Sequence, residues 1–364
     1  MTSAPRKIYT CTPVAFHANA RFFTRDTGLV SRILRELGHE SKTIMPLPWY
    51  DDDDDEHVLR VAPAQLRSAS WWRSRELDAV VLYSWGDPRY TLIARAIHRA
   101  GIKLILQLDF NGHFLPCTKF PRLLREWAVN FLRAKHLSYA DAIAASPVAK
   151  IHLLGDKRYG LPIADKCRTM PTAVDSCFTY SGETKEKRVL CVGDWEDPIK
   201  RPAFMRETVQ LLLEQDPHVQ VDICGNFGSA CEAWWQALPA EQSRRIHLLG
   251  TVKHDELPAL YNRAMVSVCT SESEGTHGVS AEALCCGCSI ATTNRERLRM
   301  VHWYTTRDSG TIAKGDTPAA LADAIQEELY AWQCHKRDPH IIAQSWQQVF
   351  HTAQALPRIL KAVL

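Results

Sequence analysis

The sequence predicts an α/β protein with two doubly wound parallel sheets, and two observations support this. Strand-like runs alternate with helix-like runs, and the alternation restarts after a polar linker. Strands that are separated by helices pair in parallel, so each series predicts one sheet with helices on both faces. The strand-like runs lie at 7–11, 78–83, 102–108, 142–145 and 167–170 in the first series, and at 188–193, 219–224, 246–249, 264–269 and 289–292 in the second.

Helical periodicity fills the intervals between these strands. The predicted helices lie at 28–37, 88–100 and 121–138 in the first series, and at 201–215, 230–237, 255–263, 280–286 and 317–333 in the second. The polar stretch YSGETKEKR (180–188) has the composition of a linker. We therefore predict a first domain over 1–180, a second over 181–335 and a helical segment over 336–364. In that segment, apolar residues at helical spacing are expected to be buried across the joint with the first domain: Ile342, Trp346, Val349 and Phe350.

Composition excludes several classes of protein. The chain has 364 residues, of which 46% are hydrophobic and 23% charged, and these proportions are typical of a soluble globular protein. Its net charge of +3 provides no bulk attraction for nucleic acid. No apolar run is long enough to span a membrane. The N-terminus enters a strand without an apolar signal core, and twelve scattered cysteines suit reduced thiols, so we expect a cytoplasmic protein.

Two acids mark a strand-to-helix junction in the second half. In SESEGTHGVSAEALCCGC (271–288), Glu274 precedes a short helix-like run that contains Glu282. The unpaired amides at a helix N-terminus favour anions, so this junction is a candidate ligand site. The alternative is structural, with Glu282 a first-turn acid that stabilises the helix and Glu274 an ordinary loop residue. In the same stretch, the CCGC run at 285–288 favours internal packing over zinc binding.

Two charged segments in the first half leave alternatives open. The acidic run Asp51–Asp55 with Glu56 is either a solvated loop or a mobile acidic lip that meets a cationic group. The segment 119–141 predicts a basic amphipathic helix with Leu123, Leu124, Trp127, Phe131 and Leu132 along it. Such a helix either packs on a sheet or docks on an anionic membrane surface.

Five landmarks in order carry a resemblance to a known family. They are ADAIAASPVAKIHLLG (140–155), MPTAVDSCF (170–178), VLCVGDWEDPIKRP (189–202), ICGNFGS (223–229) and HLLGTVKHDELPALYNRAMVSVCTSESEGTHGVSAEALCCGCSIATT (247–293). In this order they resemble the retaining glycosyltransferases of family 4, and the last carries the E-x7-E motif as Glu274 and Glu282. The resemblance covers about 140–333. It implies the GT-B fold, in which two Rossmann-like domains face a central cleft and a C-terminal helix crosses back to the first domain.

The resemblance also implies roles for individual residues. Glu274 would bind the donor sugar and Glu282 the ribose, because carboxylates accept strong hydrogen bonds from hydroxyl groups. Lys200 would neutralise the departing diphosphate, whose charge is largest in the transition state. Further donor contacts are implied at Arg201 and at the backbone amides of Gly275, Thr276 and His277.

The sequence departs from the family pattern at three places. Asp194 stands where the family usually has an arginine, so either another base such as Arg201 compensates or donor handling is altered. The family's glycine-rich N-terminal loop reads here as RDTGLVSRILRELGHE (25–40) and retains only Gly28 at the helix start. At the end of a central strand, Asp109 and then His113 stand near the position where many members have a catalytic histidine. Asp109 either orients the acceptor or acts as a base, or it is simply a turn former.

The implied activity is transfer of a sugar from a UDP- or GDP-sugar, with retention of configuration and without a metal or cofactor. A saccharide or lipid-linked saccharide in surface-glycan assembly is the expected acceptor. Through 119–138 the protein would contact the inner face of the membrane peripherally. Two alternatives remain, a nucleotide-sugar epimerase of the same fold and a catalytically degenerate binding subunit.

Overall fold

The computed structural model describes residues 4–54, 56–84, 88–108, 120–148 and 164–364. Contacts divide the chain into two compact units. The first unit is Met1–Asp175 together with Val349–Leu364, and the second is Ser176–Gln348. Each unit is built around one parallel sheet.

The first unit contains a seven-stranded sheet in the order β3-β2-β1-β4-β5-β6-β7. Every pairing in it is parallel. Its strands are β1 (Ile8–Cys11), β2 (Thr43–Pro46), β3 (Val58–Val61), β4 (Ala79–Ser84), β5 (Lys103–Leu108), β6 (Ala142–Ala145) and β7 (Cys167–Thr169).

Helices cover both faces of this first sheet. They are α1 (Asp26–Glu36), α2 (Pro63–Leu66), α3 (Ala69–Arg73), α4 (Thr91–Arg99) and α5 (Arg122–Ser138), with α14 (Thr352–Lys361) contributed by the C-terminus. On one face, Leu29 and Ile33 of α1 share a buried cluster with Leu356 and Ile359 of α14. The other face forms a second cluster with α3, α4 and the end of α5. The sheet is therefore buried on both sides, as parallel sheets require.

The second unit contains a six-stranded sheet in the order β10-β9-β8-β11-β12-β13. Its strands are β8 (Glu186–Val192), β9 (Gln220–Cys224), β10 (Ile246–Gly250), β11 (Ala264–Cys269), β12 (Ser289–Thr292) and β13 (Gly310–Ile312). The helices are α6 (Pro202–Gln215), α7 (Ser229–Ala237), α8 (Ala240–Ser243), α9 (Leu257–Arg263), α10 (Gly278–Cys285), α11 (Arg299–Tyr304), α12 (Pro318–Gln333) and α13 (Pro339–Phe350). Both sheets thus follow the doubly wound order, with a reversal between β1 and β4 in one and between β8 and β11 in the other.

The predicted fold class is confirmed, and three short strands were missed. These are β2, β3 and β13, each only three or four residues long. Their periodicity is too brief to detect, and β3 carries Arg60, a charged residue that would ordinarily argue against a buried strand. Arg60 can be buried because a carboxylate in the preceding connection forms an ion pair with it.

The acidic run lies in the connection between β2 and β3, but the solvated-loop interpretation is wrong for Asp53. Its side chain is 1% exposed and pairs with Arg60, which is 0% exposed. Arg60 donates from Nε at 2.9 Å and from Nη2 at 2.7 Å to the two carboxylate oxygens of Asp53. Asp52, by contrast, accepts from the exposed side chains of His17 and Asn19. Asp55 lies outside the described residues.

The basic amphipathic helix is present as α5, but its large apolar side chains are not buried. The residues that α5 buries are Asn130, Ala134, His136 and Leu137. Trp127 is 56% exposed and Phe131 50%, and their rings stack with centroids 5.8 Å apart. Packing on the sheet is therefore the wrong interpretation for these side chains. Within the described ranges, no helix is long and apolar enough to cross a membrane.

Helix α13 forms the first part of the C-terminal segment, and most of it belongs to the second unit. Ile342, Trp346 and Phe350 are buried, whereas Val349 is only half-buried, and burial across the joint with the first domain stays a prediction. Trp346 packs edge-on against Trp303 and Tyr304, with ring centroids 5.5 Å and 6.1 Å away. The segment 336–364 is therefore divided, because residues up to Gln348 cluster with the second unit and Val349–Leu364 with the first.

Candidate functional site

The sheet order of the second unit brings the predicted donor residues together. In doubly wound sheets, ligands bind beyond the carboxyl ends of the strands, where the strand order reverses. Strands β8 and β11 flank that reversal. Lys200 follows β8 and Glu274 follows β11, so two residues separated by 74 positions face each other.

The turn after β8 is fixed by close backbone packing. Gly225 has φ +119°, and a Cβ atom there would lie 1.8 Å from the carbonyl oxygen of Gly193. Only glycine fits such an approach at such a φ. Beside it, the buried Trp195 donates from Nε1 to the carbonyl of Cys224 at 3.0 Å. The exposed Asp194 accepts from Nδ2 of Asn226 at 3.2 Å, so this acid is tied to the neighbouring turn.

A short 3-10 turn, Pro198–Lys200, follows and positions Lys200 and the next residue, Arg201. Asp197 caps it by accepting from the amide of Ile199 at 2.9 Å. Arg201 follows in the left-handed region at φ 56°, immediately before Pro202 begins α6. The carbonyl of Lys200 accepts from Oγ1 of Thr270 at 2.6 Å, which ties this turn to the end of β11.

Lys200 and Glu274 form an ion pair. Nζ of Lys200 lies 2.6 Å from Oε1 of Glu274, and the side chains are 22% and 14% exposed. Burial acts to raise the pKa of the Glu274 carboxyl, but the neighbouring His277, the charge and hydrogen bond of Lys200 and the hydrogen bond of Ser271 together outweigh it, so the pKa lies below its usual value. Glu274 is therefore ionised at neutral pH and acts only as a hydrogen-bond acceptor.

His277 occupies a strained position at the start of α10. Its φ is 44°, an uncommon value for a non-glycine residue. The ring is buried, with Nδ1 2.7 Å from Oγ of Ser280 and Nε2 4.0 Å from Oε1 of Glu274. Burial lowers the pKa of His277 to about 4, so the imidazole is neutral at pH 7. Tyr304 secures the loop by donating to the carbonyl of Thr276 at 3.3 Å.

Glu282 is not a first-turn acid, so the helix-stabilising interpretation is wrong. Helix α10 begins at Gly278 and has no acid in its first turn. Glu282 instead accepts from the hydroxyl of the fully buried Tyr261 at 3.1 Å. Burial, together with the Glu282 carboxylate, raises the pKa of Tyr261 well above its usual value. Tyr261 thus remains a donor that orients one carboxylate oxygen.

A second charged cluster beside the site was not predicted from sequence. Asp316 accepts from Nη1 of Arg201 at 2.6 Å and also pairs with Nη1 of Arg295. Arg201 stacks on Phe204, with its guanidinium carbon 3.7 Å from the ring centroid. Arg295 also lies 3.6 Å from Glu272. The signal that could have found this cluster is that Arg295 and Asp316 each follow a strand of the same parallel sheet, namely β12 and β13.

Four predicted positions remain, and only some of them lie near Glu274. Gly28 is in the first turn of α1, where a Cβ atom would lie 2.2 Å from the carbonyl oxygen of Phe22, so close packing requires this glycine. Gly275 is half-buried in the loop before α10. Asp109 and His113 lie outside the described residues.

The CCGC run lies at the end of α10, and its thiols are buried. Burial raises the pKa of the Cys288 thiol to about 12. Nζ of the buried Lys185 donates at 2.8 Å to the carbonyl of Cys286 and at 2.8 Å to that of Tyr261. This lysine therefore ties the ends of α9 and α10 together.

Comparisons with known proteins identify a family for part of the chain. Residues 186–330 match the family described as "Glycosyl transferases group 1". This match contains both glutamates and Lys200, while it does not distinguish family 4 within the group. None of the curated proteins matches the chain in sequence.

Solved structures share the fold of the whole chain. Alr3699/HepE from Anabaena in complex with UDP is 15% identical over 98% of each chain, with a TM-score of 0.67. The lipopolysaccharide outer core galactosyltransferase WaaB is 14% identical over 98% of this chain and 99% of its own, with a TM-score of 0.64. A Listeria monocytogenes protein assigned as UDP-N-acetylglucosamine 2-epimerase is 13% identical over 99% of this chain and 96% of its own, with a TM-score of 0.61. Residues 186–330 therefore carry the sequence pattern of the group 1 glycosyl transferases, and the chain has the GT-B fold.

Proposed function

We propose that this protein is a retaining glycosyltransferase that moves a sugar from a UDP- or GDP-sugar to a saccharide or lipid-linked saccharide in surface-glycan assembly. The observation that carries the proposal is the Lys200–Glu274 pair at the strand reversal, with Glu282 eight positions further along the chain. HepE was solved with UDP and WaaB is a galactosyltransferase, and this chain shares their fold.

Glu274 suits recognition of the donor sugar. Its carboxylate is ionised and largely shielded, and it is held by Lys200 at 2.6 Å and by a hydrogen bond from Ser271. A carboxylate offers about four lone-pair directions, so capacity remains for sugar hydroxyl groups. Hydrogen bonds from hydroxyls to a shielded carboxylate are stronger than those between neutral groups. Glu282, oriented by Tyr261, would bind the ribose in the same way.

Lys200 suits stabilisation of the leaving group. In the protein without donor its ammonium is neutralised by Glu274. A bound diphosphate would share that ammonium, and its charge grows as the glycosidic bond breaks. A cation that is already in place stabilises the developing charge more than the ground state, which lowers the barrier.

Arg201 would supply the second positive charge that the family's arginine, replaced here by Asp194, usually provides. Asp316 and Phe204 hold the guanidinium of Arg201 from two sides, so it is already oriented. With Lys200 it would neutralise the diphosphate without a metal ion. Asp316 acts here as a positioning residue, since it touches the base and not the donor.

Calorimetric titration with a panel of UDP- and GDP-sugars tests the donor. We expect at least one of them to bind. Glu274→Gln should weaken the binding of that nucleotide sugar more than the binding of the free nucleotide. Glu214→Gln is the matched control, because Glu214 is an exposed acid in the last turn of α6, outside the donor residues. Failure of every nucleotide sugar to bind would overturn the proposal. NMR of the product's anomeric proton then tests retention.

A nucleotide-sugar epimerase is the second candidate, favoured by the shared fold of the Listeria protein. It predicts that the purified chain converts its donor without any acceptor. Product NMR of donor incubated alone separates the two activities, since a transferase leaves the sugar's configuration unchanged until an acceptor is added.

A degenerate binding subunit is the third candidate, and Asp194 in place of arginine motivates it. It predicts that nucleotide sugar binds without being consumed. Donor hydrolysis or transfer by the purified chain that is lost in Lys200→Ala would dismiss this candidate.

The exposed face of α5 supports peripheral contact with an anionic membrane at the cytoplasmic side. Trp127, Phe131 and Leu124 are each at least half exposed, and Arg122 and Arg125 are exposed on the same helix. Apolar side chains flanked by arginines match an interface of acyl chains and anionic headgroups. Liposome co-sedimentation with and without anionic lipid tests this. Binding that is lost when Arg122, Arg125 and Arg133 become Gln supports a lipid-linked acceptor, and no binding at any salt concentration favours a soluble one.

A further inference from the structure

A groove in the first unit, outside the donor residues, is lined by arginines. It lies between the α2–α3 connection and α4 and has a volume of about 320 Å³. Its charged lining residues are Arg67, Arg95 and Arg99. Ala69, Ala96 and Leu92 form the rest of the wall, and Leu92 is 47% exposed. The groove is large enough for a small ligand, for which pockets start at roughly 300 Å³.

In the part of the chain that the structure describes, the three guanidinium groups have no acidic counterpart in the groove, because no carboxylate lines it. Across the ranges that the structure describes, none of the three arginines forms an ion pair. Arg73 adds a fourth guanidinium at the edge, where its Nη2 donates to the carbonyl of Arg99 at 3.3 Å. In the second unit, by contrast, Lys200, Arg201 and Arg295 are all paired with acids.

Helix electrostatics explain only one of these arginines. Arg99 lies in the last turn of α4, where a cation interacts favourably with the helix dipole. Arg95 lies one turn earlier, and like charges four residues apart on a helix repel each other. Arg67 lies at the C-cap of α2 and converges on the same concave surface from a different element. An anionic ligand would relieve this repulsion.

We propose that this groove binds a phosphate-bearing ligand through Arg67, Arg95 and Arg99. Guanidinium groups bind phosphate oxygens in pairs of parallel hydrogen bonds, which makes arginine well suited to such groups. The apolar wall at Leu92 suits a phosphate that is attached to an organic body. Two sources share this chemistry, a membrane phospholipid headgroup and a soluble phosphorylated compound.

Calorimetry with inorganic pyrophosphate tests the soluble source, in a buffer free of other phosphate. We expect the triple variant Arg67→Gln, Arg95→Gln, Arg99→Gln to bind pyrophosphate at least about tenfold more weakly than the parent chain. Because the proposed donor site would also attract pyrophosphate, Lys200→Ala is titrated in parallel. The groove component persists in Lys200→Ala and disappears in the triple variant, so failure of the groove and failure of the donor site are distinguishable.

Flotation with vesicles tests the lipid source. The probe is phosphatidylcholine with and without phosphatidic acid, at low and high salt. If the groove holds a headgroup, binding to the anionic vesicles falls in the triple variant. Vesicle binding that is lost in Trp127→Gln yet kept in the triple variant belongs to α5 and counts against a headgroup in the groove.

Two further variants separate a built site from diffuse charge. Arg21, Arg244 and Arg307 are exposed arginines elsewhere, and their triple change to Gln removes the same charge. The triple change Arg67→Lys, Arg95→Lys, Arg99→Lys keeps the charge but removes the paired hydrogen bonds. A built site is weakened by the lysine variant and not by the distant one. Equal loss in both glutamine triples, or no binding of either probe by the parent chain, overturns the proposal.

Discussion

Two ion pairs, one in each unit, differ in how fully their hydrogen-bonding groups are used. Asp53–Arg60 is sealed, with side chains 1% and 0% exposed. Besides Arg60, the Asp53 carboxylate accepts from the amides of Ala18 at 2.9 Å and Tyr50 at 3.0 Å. Arg60 also donates from Nη1 to the carbonyl of Pro46 at 3.1 Å. The carboxylate of Asp53 thus accepts four hydrogen bonds, and all three nitrogens of Arg60 donate.

Lys200–Glu274 is more exposed and less fully hydrogen-bonded. Its two side chains are 22% and 14% exposed, and the Glu274 carboxylate has hydrogen bonds with Lys200 at 2.6 Å and with Ser271. The Glu274 carboxylate is ionised and held in place, and it can still accept further hydrogen bonds, as the binding of a ligand requires. We therefore expect the saturation of hydrogen bonds, more than burial alone, to separate a structural ion pair from one that binds a ligand.

The largest expected effect is on stability, at the sealed pair. Asp53→Ala leaves the Arg60 guanidinium buried without its counter-charge, and breaking a buried pair costs about 3–5 kcal/mol. Urea unfolding followed by circular dichroism measures the loss. Asp51→Ala, a change at an exposed acid in the same connection, should leave the midpoint nearly unchanged. If the two variants unfold alike, the sealed pair is not structural.

The next effect is on turnover, at the open pair. Lys200→Ala should lower kcat about 10²–10³-fold, the usual loss on removing one group that stabilises transition-state charge. Donor affinity should fall less, because the leaving-group charge is largest in the transition state. Initial rates with the donor found by titration measure both, and Lys253→Ala at an exposed lysine is the control. Equal losses in kcat and affinity would contradict the role.

A smaller effect is expected on nucleotide binding. Glu282→Ala should weaken the binding of the free nucleotide by about 1–3 kcal/mol, the range for losing a hydrogen bond to a charged group. Tyr261→Phe keeps the carboxylate but removes the hydroxyl that orients it, so its loss should be smaller. Calorimetry with the nucleotide alone measures both variants. Unchanged affinity in Glu282→Ala would return this acid to a structural role.

The smallest effect is expected at the departure from the family pattern. Asp194 is exposed, so restoring the family's residue with Asp194→Arg should raise donor affinity by no more than about 1 kcal/mol, the upper range for exposed charge pairs. Asn226→Ala is the control, because it removes the contact that Asp194 makes with the neighbouring turn without adding a charge. A loss of donor affinity in Asp194→Arg would mean that Asp194 has a specific use.

The sequence by itself determined the two sheets and the positions of the two glutamates and the lysine. Long strands such as β5 and helices such as α12 repeat their pattern often enough to be recognised locally. The E-x7-E spacing and the KRP turn are short-range features, so they too could be read along the chain.

The tertiary structure decided which charged residues pair with each other and which residues are buried. Glu274 meets Lys200 across 74 positions, and Arg201 meets Asp316 across 115, because parallel strands distant in sequence end at the same edge of one sheet. Asp53 is buried, although it stands in an acidic run, because Arg60 lies seven residues on and points into the same connection. The apolar residues of α5 are exposed, although their spacing suits packing, because the helix turns other residues toward the sheet. Burial and pairing depend on what the rest of the fold places beside a residue, and no local pattern contains that information.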